Sequence, residues 1–249
     1  MLKTFNIVIF FFIYLVSSIL FCIFALQNKI KIYMTDNKDN TTKNVYTEWA
    51  EQTFQDILDA LDQIKVGQIQ VLTGDNGSGK SLIRKVLCTT LRERENDNTI
   101  KVSDISMERR TGLHSELGGG GVFLRDTSWY ATSSNSLGFL KSILNGITNR
   151  FVVLNEPEIG MSQDLQLSVG KFLSDKLPTI LKDNKGVLII THSKELVRNL
   201  TVEHTFINIQ KKTESEWLNE TAKYIELDEF EKKCSALFKL LQTKLKNAN

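Results

Sequence analysis

The sequence predicts an α/β domain with a mostly parallel central sheet flanked by helices, and three observations carry that prediction. Short apolar segments such as "RFVVLN" and "GVLIITHS" read as buried strands. Helical periods separate them, the alternation expected of a sheet covered on both faces. The stretch "QIQVLTG" runs straight into a glycine-rich turn and then into a further helical segment.

Bulk composition sets the frame. A chain of 249 residues fits one compact domain with an appendage. Lys and Arg total 31 against 29 Asp and Glu. No global field therefore favours nucleic acid or an anionic membrane surface, and contact with nucleic acid has no support in the charge pattern. Cys22, Cys88 and Cys234 lie far apart without C-x-x-C spacing, so neither a zinc site nor a disulfide framework is indicated.

Residues 7–26 form a 20-residue apolar run in which Tyr14, Ser17 and Ser18 carry the polar groups. Twenty helical residues span about 30 Å, the thickness of a bilayer's hydrocarbon. Residues 1–33 thus read as a membrane anchor, with the rest of the chain on the cytosolic side. The alternative is an over-extended gene start, because a polar segment resembling a soluble N-terminus opens at Met34. One domain over 34–249 follows.

Residues 35–44 are a solvated linker. In "VYTEWAEQTFQDILDALDQIKVG" the residues Phe54, Ile57, Leu58, Leu61 and Ile64 recur with a helical period. "QIQVLTG" is a strand ending at glycine, "KSLIRKVLCTTLRERE" a helix, and "NTIKVSDI" a strand. From Ser106 the pattern dissolves into polar residues and four glycines, Gly118, Gly119, Gly120 and Gly121, the composition of a loop. "GVFLRD" restores order, "TSSNS" reads as a turn, "LGFLKSILNGI" as a helix and "RFVVLN" as a strand. "MSQDLQLSVGKFLSDKLPTILKD" is helical up to a break expected near Pro178. "GVLIITHS" and "HTFINIQ" are strands, and residues 227–246 an amphipathic helix.

The turn after the first strand carries the most specific signal. Gly74, Asp75, Asn76, Gly77, Ser78, Gly79, Lys80 and Ser81 satisfy G-x-x-x-x-G-K-[ST] between a strand and a helix. Glycines let successive N–H groups point inward, and the helix contributes its positive end. Lys80 adds a point charge toward the β and γ phosphates, and the Ser81 hydroxyl suits Mg²⁺. The turn is therefore expected to hold a nucleoside triphosphate.

Chemistry on that phosphate needs a carboxylate at the end of a neighbouring strand. "FVVLNEPEIG" offers one, since Asn155, Glu156, Pro157 and Glu158 emerge where open α/β sheets bind ligands. Glu158 reads either as a second carboxylate in the cleft or as a solvated turn residue, the latter being preferred.

On these residues the chain resembles the ABC-type ATPases, P-loop enzymes whose corresponding strand ends in Asp-Glu-Pro. The resemblance implies that Glu156 activates the attacking water and that Asn155 stands where the family has a metal-shell Asp. An amide can accept from metal-bound water but brings no charge, so slow turnover or nucleotide-gated binding without hydrolysis stays open. His192 ends the apolar strand "VLIITHS" 36 residues after Glu156 and matches the family's histidine that contacts the γ-phosphate. The family's Leu-Ser-Gly-Gly-Gln signature, which meets the nucleotide of a second subunit, corresponds at best to "ATSSNSLGFL". There Ser133, Ser134 and Ser136 are either phosphate contacts or ordinary helix caps. Tyr46 and Trp49 fall where an adenine-stacking aromatic is expected, or are packed helix residues.

No glutamine lies between Gly77 and Asn155, so the residue that couples such domains to a transporter has no counterpart. "NEPEIGMSQDLQ" looks more like non-transporter relatives, the ATPase heads of SMC-like, repair and defence proteins. The resemblance covers about residues 45–210. It implies ATP and Mg²⁺ as cofactors, catalytic Glu156 and His192, metal contacts from Ser81 and Asn155, a homodimer closing head to tail on ATP, and an unknown protein partner in which the cycle drives conformational change.

Overall fold

A computed structural model describes residues 45–93, 100–106 and 132–246. Helix α1 (Val45–Gln63) leads into strand β1 (Ile69–Thr73), which is buried at every position. The glycine turn follows, then helix α2 (Lys80–Glu93) and strand β2 (Lys101–Ser106). Helix α3 (Thr132–Leu144), strand β3 (Arg150–Asn155) and helix α4 (Gln163–Asp183) come next. Strand β4 (Gly186–Ile190), the short helix α5 (Lys194–Arg198) and strand β5 (Thr205–Asn208) complete the sheet. Helices α6 (Glu214–Asn219) and α7 (Leu227–Lys246) close the described chain.

The five strands are all parallel in the order β2-β3-β4-β1-β5. The fold is thus an α/β sheet flanked by helices, compatible with a P-loop NTPase. Alternation along each strand splits the core between its two faces. Val152 and Leu154 of β3 join Leu140, Leu173 and Leu177 on one side, among α3 and α4. Phe151 and Val153 join Ile57, Ala60 and Ile83 on the other, among α1 and α2. Helices on both faces explain why β1 and β4 are buried along their whole length.

Because every strand points the same way, all five carboxyl ends lie at one edge. Strand β4 sits between β1 and β3. The turns after β1, β4 and β3 therefore emerge side by side, which positions the site.

Several elements differ from the sequence reading. "TSSNS" is the start of α3, not a turn before it. Serine suits the first turn of a helix, and Ser136 is fully buried. Helix α4 runs through Pro178. The missing N–H there costs a helix roughly 3 kcal/mol, and the apolar face of Leu173, Leu177 and Ile180 buried around it offsets that cost. Glu158 is not a solvated turn residue: it is 6% exposed. Helices α5 and α6 were not expected. The glycine run, "GVFLRD" and the anchor expectation on residues 7–26 lie outside the described residues. No helix among the described residues is long and apolar enough to cross a membrane.

Candidate functional site

The glycine turn is folded tightly against its neighbours. Gly79 has φ +104°, and a Cβ there would lie 2.3 Å from Ile57 Cδ1 on α1. Gly77 has φ +76°, and its Cβ would lie 2.9 Å from Phe230 Cε2 and 3.1 Å from Cys234 Sγ on α7. Both positions combine a left-handed backbone with no room for a side chain. Two helices thus brace the turn from outside. Gln210, just beyond β5, accepts a hydrogen bond from the Asp75 N–H through Oε1 at 3.3 Å. Asp75, Asn76 and Ser81 are exposed, whereas Gly74 and Ser78 are buried.

Lys80 opens α2 and is buried. Its ammonium donates to the carbonyls of Gly74 at 2.7 Å and Asp75 at 2.8 Å. Burial pulls its pKa down to about 8, against the opposing pull of Glu156 and Asp75. In the first turn of α2 the Leu82 and Ile83 N–H groups donate to the Gly79 carbonyl at 2.9 and 3.0 Å, so the positive end of the helix abuts the glycine turn. A buried cation beside a helix N-terminus is an arrangement able to attract an anion.

Glu156 follows β3 with φ +48°, a strained conformation for a residue with a Cβ. Its N–H donates to the Ile190 carbonyl of β4 at 2.8 Å, which pins the turn to the neighbouring strand. Glu156 Oε1 lies 3.6 Å from His192 Nε2. Partial burial, with Lys80 second, holds the His192 pKa down to about 4, so the ring is neutral at pH 7. Glu156, His192 and Lys80 therefore share one field at one edge of the sheet.

Asn155 ends β3, is buried, and donates from Nδ2 to Ser106 Oγ of the adjacent β2 at 3.3 Å. Ser81 lies at the exposed start of α2. No cluster of three or more His, Cys, Asp or Glu able to hold a metal occurs among the described residues. Ser133 is half-buried and Ser134 exposed; both line a cleft of about 200 Å³ between α3 and α4. The structure places Tyr46 and Trp49 against α7, with the Lys233 ammonium 5.9 Å from the Trp49 ring centroid. The aromatic contact to the glycine turn comes from Phe230 instead.

Three further participants join this edge, of which the sequence reading had named only Glu158, as the less favoured cleft carboxylate. Glu158 accepts from the Thr191 hydroxyl at 2.5 Å and from the His192 N–H at 3.3 Å. Thr191 in turn accepts from the Ser193 N–H at 2.9 Å. Gln210 is the third. The "EPE" spacing signalled Glu158; nothing in the sequence signalled the other two.

No protein-family model matches the chain, and no curated protein matches it. Among solved structures the chain is similar to one of Drosophila ORC bound to AT-rich DNA and Cdc6, at 9% identity and a TM-score of 0.29. That match covers 78% of this chain and 32% of the other, so the chain spans about a third of its length. A likeness that weak carries no argument about function.

Proposed function

We propose that the protein binds Mg-ATP at the glycine turn and hydrolyses it, working as an ABC-type ATPase that closes head to tail as a homodimer. The observation that carries this reading is the convergence of buried Lys80, Glu156 and neutral His192 at adjacent strand ends. The residues suit the ligand: glycines whose added Cβ would clash, the positive end of α2 and a buried ammonium fit a polyphosphate. Ser81 and Asn155 would hold Mg²⁺, a hard cation that takes hydroxyl, amide and water oxygens. When bound, Mg²⁺ neutralises charge on the phosphate oxygens.

The chain's own groups supply the rest. Lys80 leaves the Gly74 and Asp75 carbonyls and pairs with phosphate. Glu156 orients the attacking water and accepts its proton. The neutral His192 ring, with Nε2 3.6 Å from Glu156 Oε1, donates one hydrogen bond to the attacking water or to a γ-phosphate oxygen beside that carboxylate. Ser133 and Ser134, at the surface end of α3, are the groups that would reach a second subunit's nucleotide.

Asn155 favours a second reading, a nucleotide-switched binding module with little hydrolysis, because its amide brings no charge to the metal. Phosphate release by the wild type and by Glu156→Gln separates the two. Turnover that Glu156→Gln lowers about 100-fold or more without loss of ATP binding supports hydrolysis; ATP binding with no phosphate release by the wild type supports the module.

A further inference from the structure

We propose that Glu158 is a positioning residue for hydrolysis: its buried carboxylate ties the turn after β3, which carries Glu156, to the backbone of His192 after β4. The inference rests on the hydrolytic reading above and adds a residue to it.

Two separate strand ends must hold a fixed distance if Glu156 and His192 are to act on one phosphate. The strands themselves fix the register up to Asn155 opposite Ile190. Beyond it the chains leave the sheet, and the Glu156 N–H bond to Ile190 is the last ladder contact. Glu158 takes over from there. Through Oε1 it receives the Thr191 hydroxyl and the His192 N–H, so one carboxylate oxygen gathers the two residues that follow β4. The same hydroxyl accepts from Ser193, whose own Oγ accepts from Leu196 N–H at the start of α5 and donates to Gln166 of α4. The Glu158 side chain is thereby continuous with α4 and α5.

A carboxylate this deep is expensive unless it is held by donors. Burial raises its pKa, with Glu156 adding to the rise and the Thr191 and His192 bonds opposing it. Its Oε2 is buried without a hydrogen-bond partner among the described residues. A purely structural brace at this place could be apolar. A carboxylate two residues after Glu156 that accepts from the backbone of His192 gives a geometry that an apolar group cannot give.

The full-length wild type, E158A, E158Q, H192A and the double variant E158A/H192A are assayed for phosphate release over a range of Mg-ATP. E158A is expected to lose roughly 10-fold or more in kcat with KM within about twofold. E158Q keeps kcat within a few-fold, because an amide oxygen accepts the same bonds. The double variant is no slower than H192A alone. Multiplying losses in the double variant, an E158A that turns over like wild type, or an E158Q as slow as E158A overturns the inference and leaves hydrolysis standing. A wild type that releases no phosphate overturns both. If E158Q does not fold, T191V, which removes the hydroxyl donor, is expected to lower kcat with the same unchanged KM; unchanged kcat overturns the inference. Amide exchange at His192 gives a readout apart from turnover: faster in E158A supports the tie, unchanged in E158A refutes it.

Discussion

Gly79 and Lys80 show how much a single residue decides here. Replacing Gly79 by Ala places a methyl 2.3 Å from Ile57 Cδ1 on a backbone at φ +104°. The expected loss is about 2–4 kcal/mol, strain and overpacking together. Urea denaturation measures it, and adding Ile57→Ala recovers the steric part but not the backbone part. Lys80 yields a pH prediction. Its pKa is lowered to about 8 while its neighbours are carbonyls, and an anion restores the ordinary high value. Polyphosphate binding at pH 8–9 should therefore take up protons, with uptake fading below pH 7 where Lys80 is already charged. Calorimetry in buffers of different ionisation enthalpy reads this directly. For His192 the sign is opposite in range: its folded pKa near 4 lies below the ordinary 6.5, so the unfolded chain binds the proton more readily. Its contribution to stability is present above pH 6.5 and is lost as pH falls toward 4.

At the scale of elements, β2 and α2 are joined by a two-pronged pair. Arg84 Nε and Nη2 donate to Asp104 Oδ1 and Oδ2 at 2.7 and 2.8 Å, with both side chains nearly buried. Removing one partner by Arg84→Ala strands the other charge and should cost about 3–5 kcal/mol, read as a fall in the denaturation midpoint. Helix α7 braces the glycine turn through Phe230. Phe230→Ala should weaken ATP binding severalfold while leaving the sheet intact; a titration with a fluorescent ATP analogue beside far-ultraviolet circular dichroism checks both halves.

Which elements were readable follows from their chemistry. β3 and β4 announce themselves because a strand buried on both faces must be apolar throughout. α6 is six residues long and too short for a period, yet Thr213 and Glu216 form a capping box that a closer reading of "TESE" would have found. The start of α3 was hidden because "TSSNS" suits a turn as well as a first helical turn, and tertiary packing of Ser136 decides between them.

On the scale of the whole molecule, the parallel sheet is what brings three distant motifs to one edge. Glu156 and His192 were legible from sequence as residues that follow strands and Lys80 as the end of the glycine turn after β1, and the order β3-β4-β1 brings them together. Glu158 was misread as solvated because hydropathy cannot report how a turn folds after it leaves a strand. Its burial depends on Thr191 and His192, 33 and 34 residues further along the chain. If the molecule closes on nucleotide as proposed, light scattering of the Glu156→Gln protein should show twice the mass with ATP and Mg²⁺ present, and the monomer mass after chelation by EDTA.

The most direct test of the central claim is a calorimetric titration of Mg-ATP into wild-type protein and into Lys80→Ala. The account predicts saturable binding by the wild type and a loss of at least about 100-fold in affinity on removing the ammonium. Equal affinity in the two proteins would contradict it.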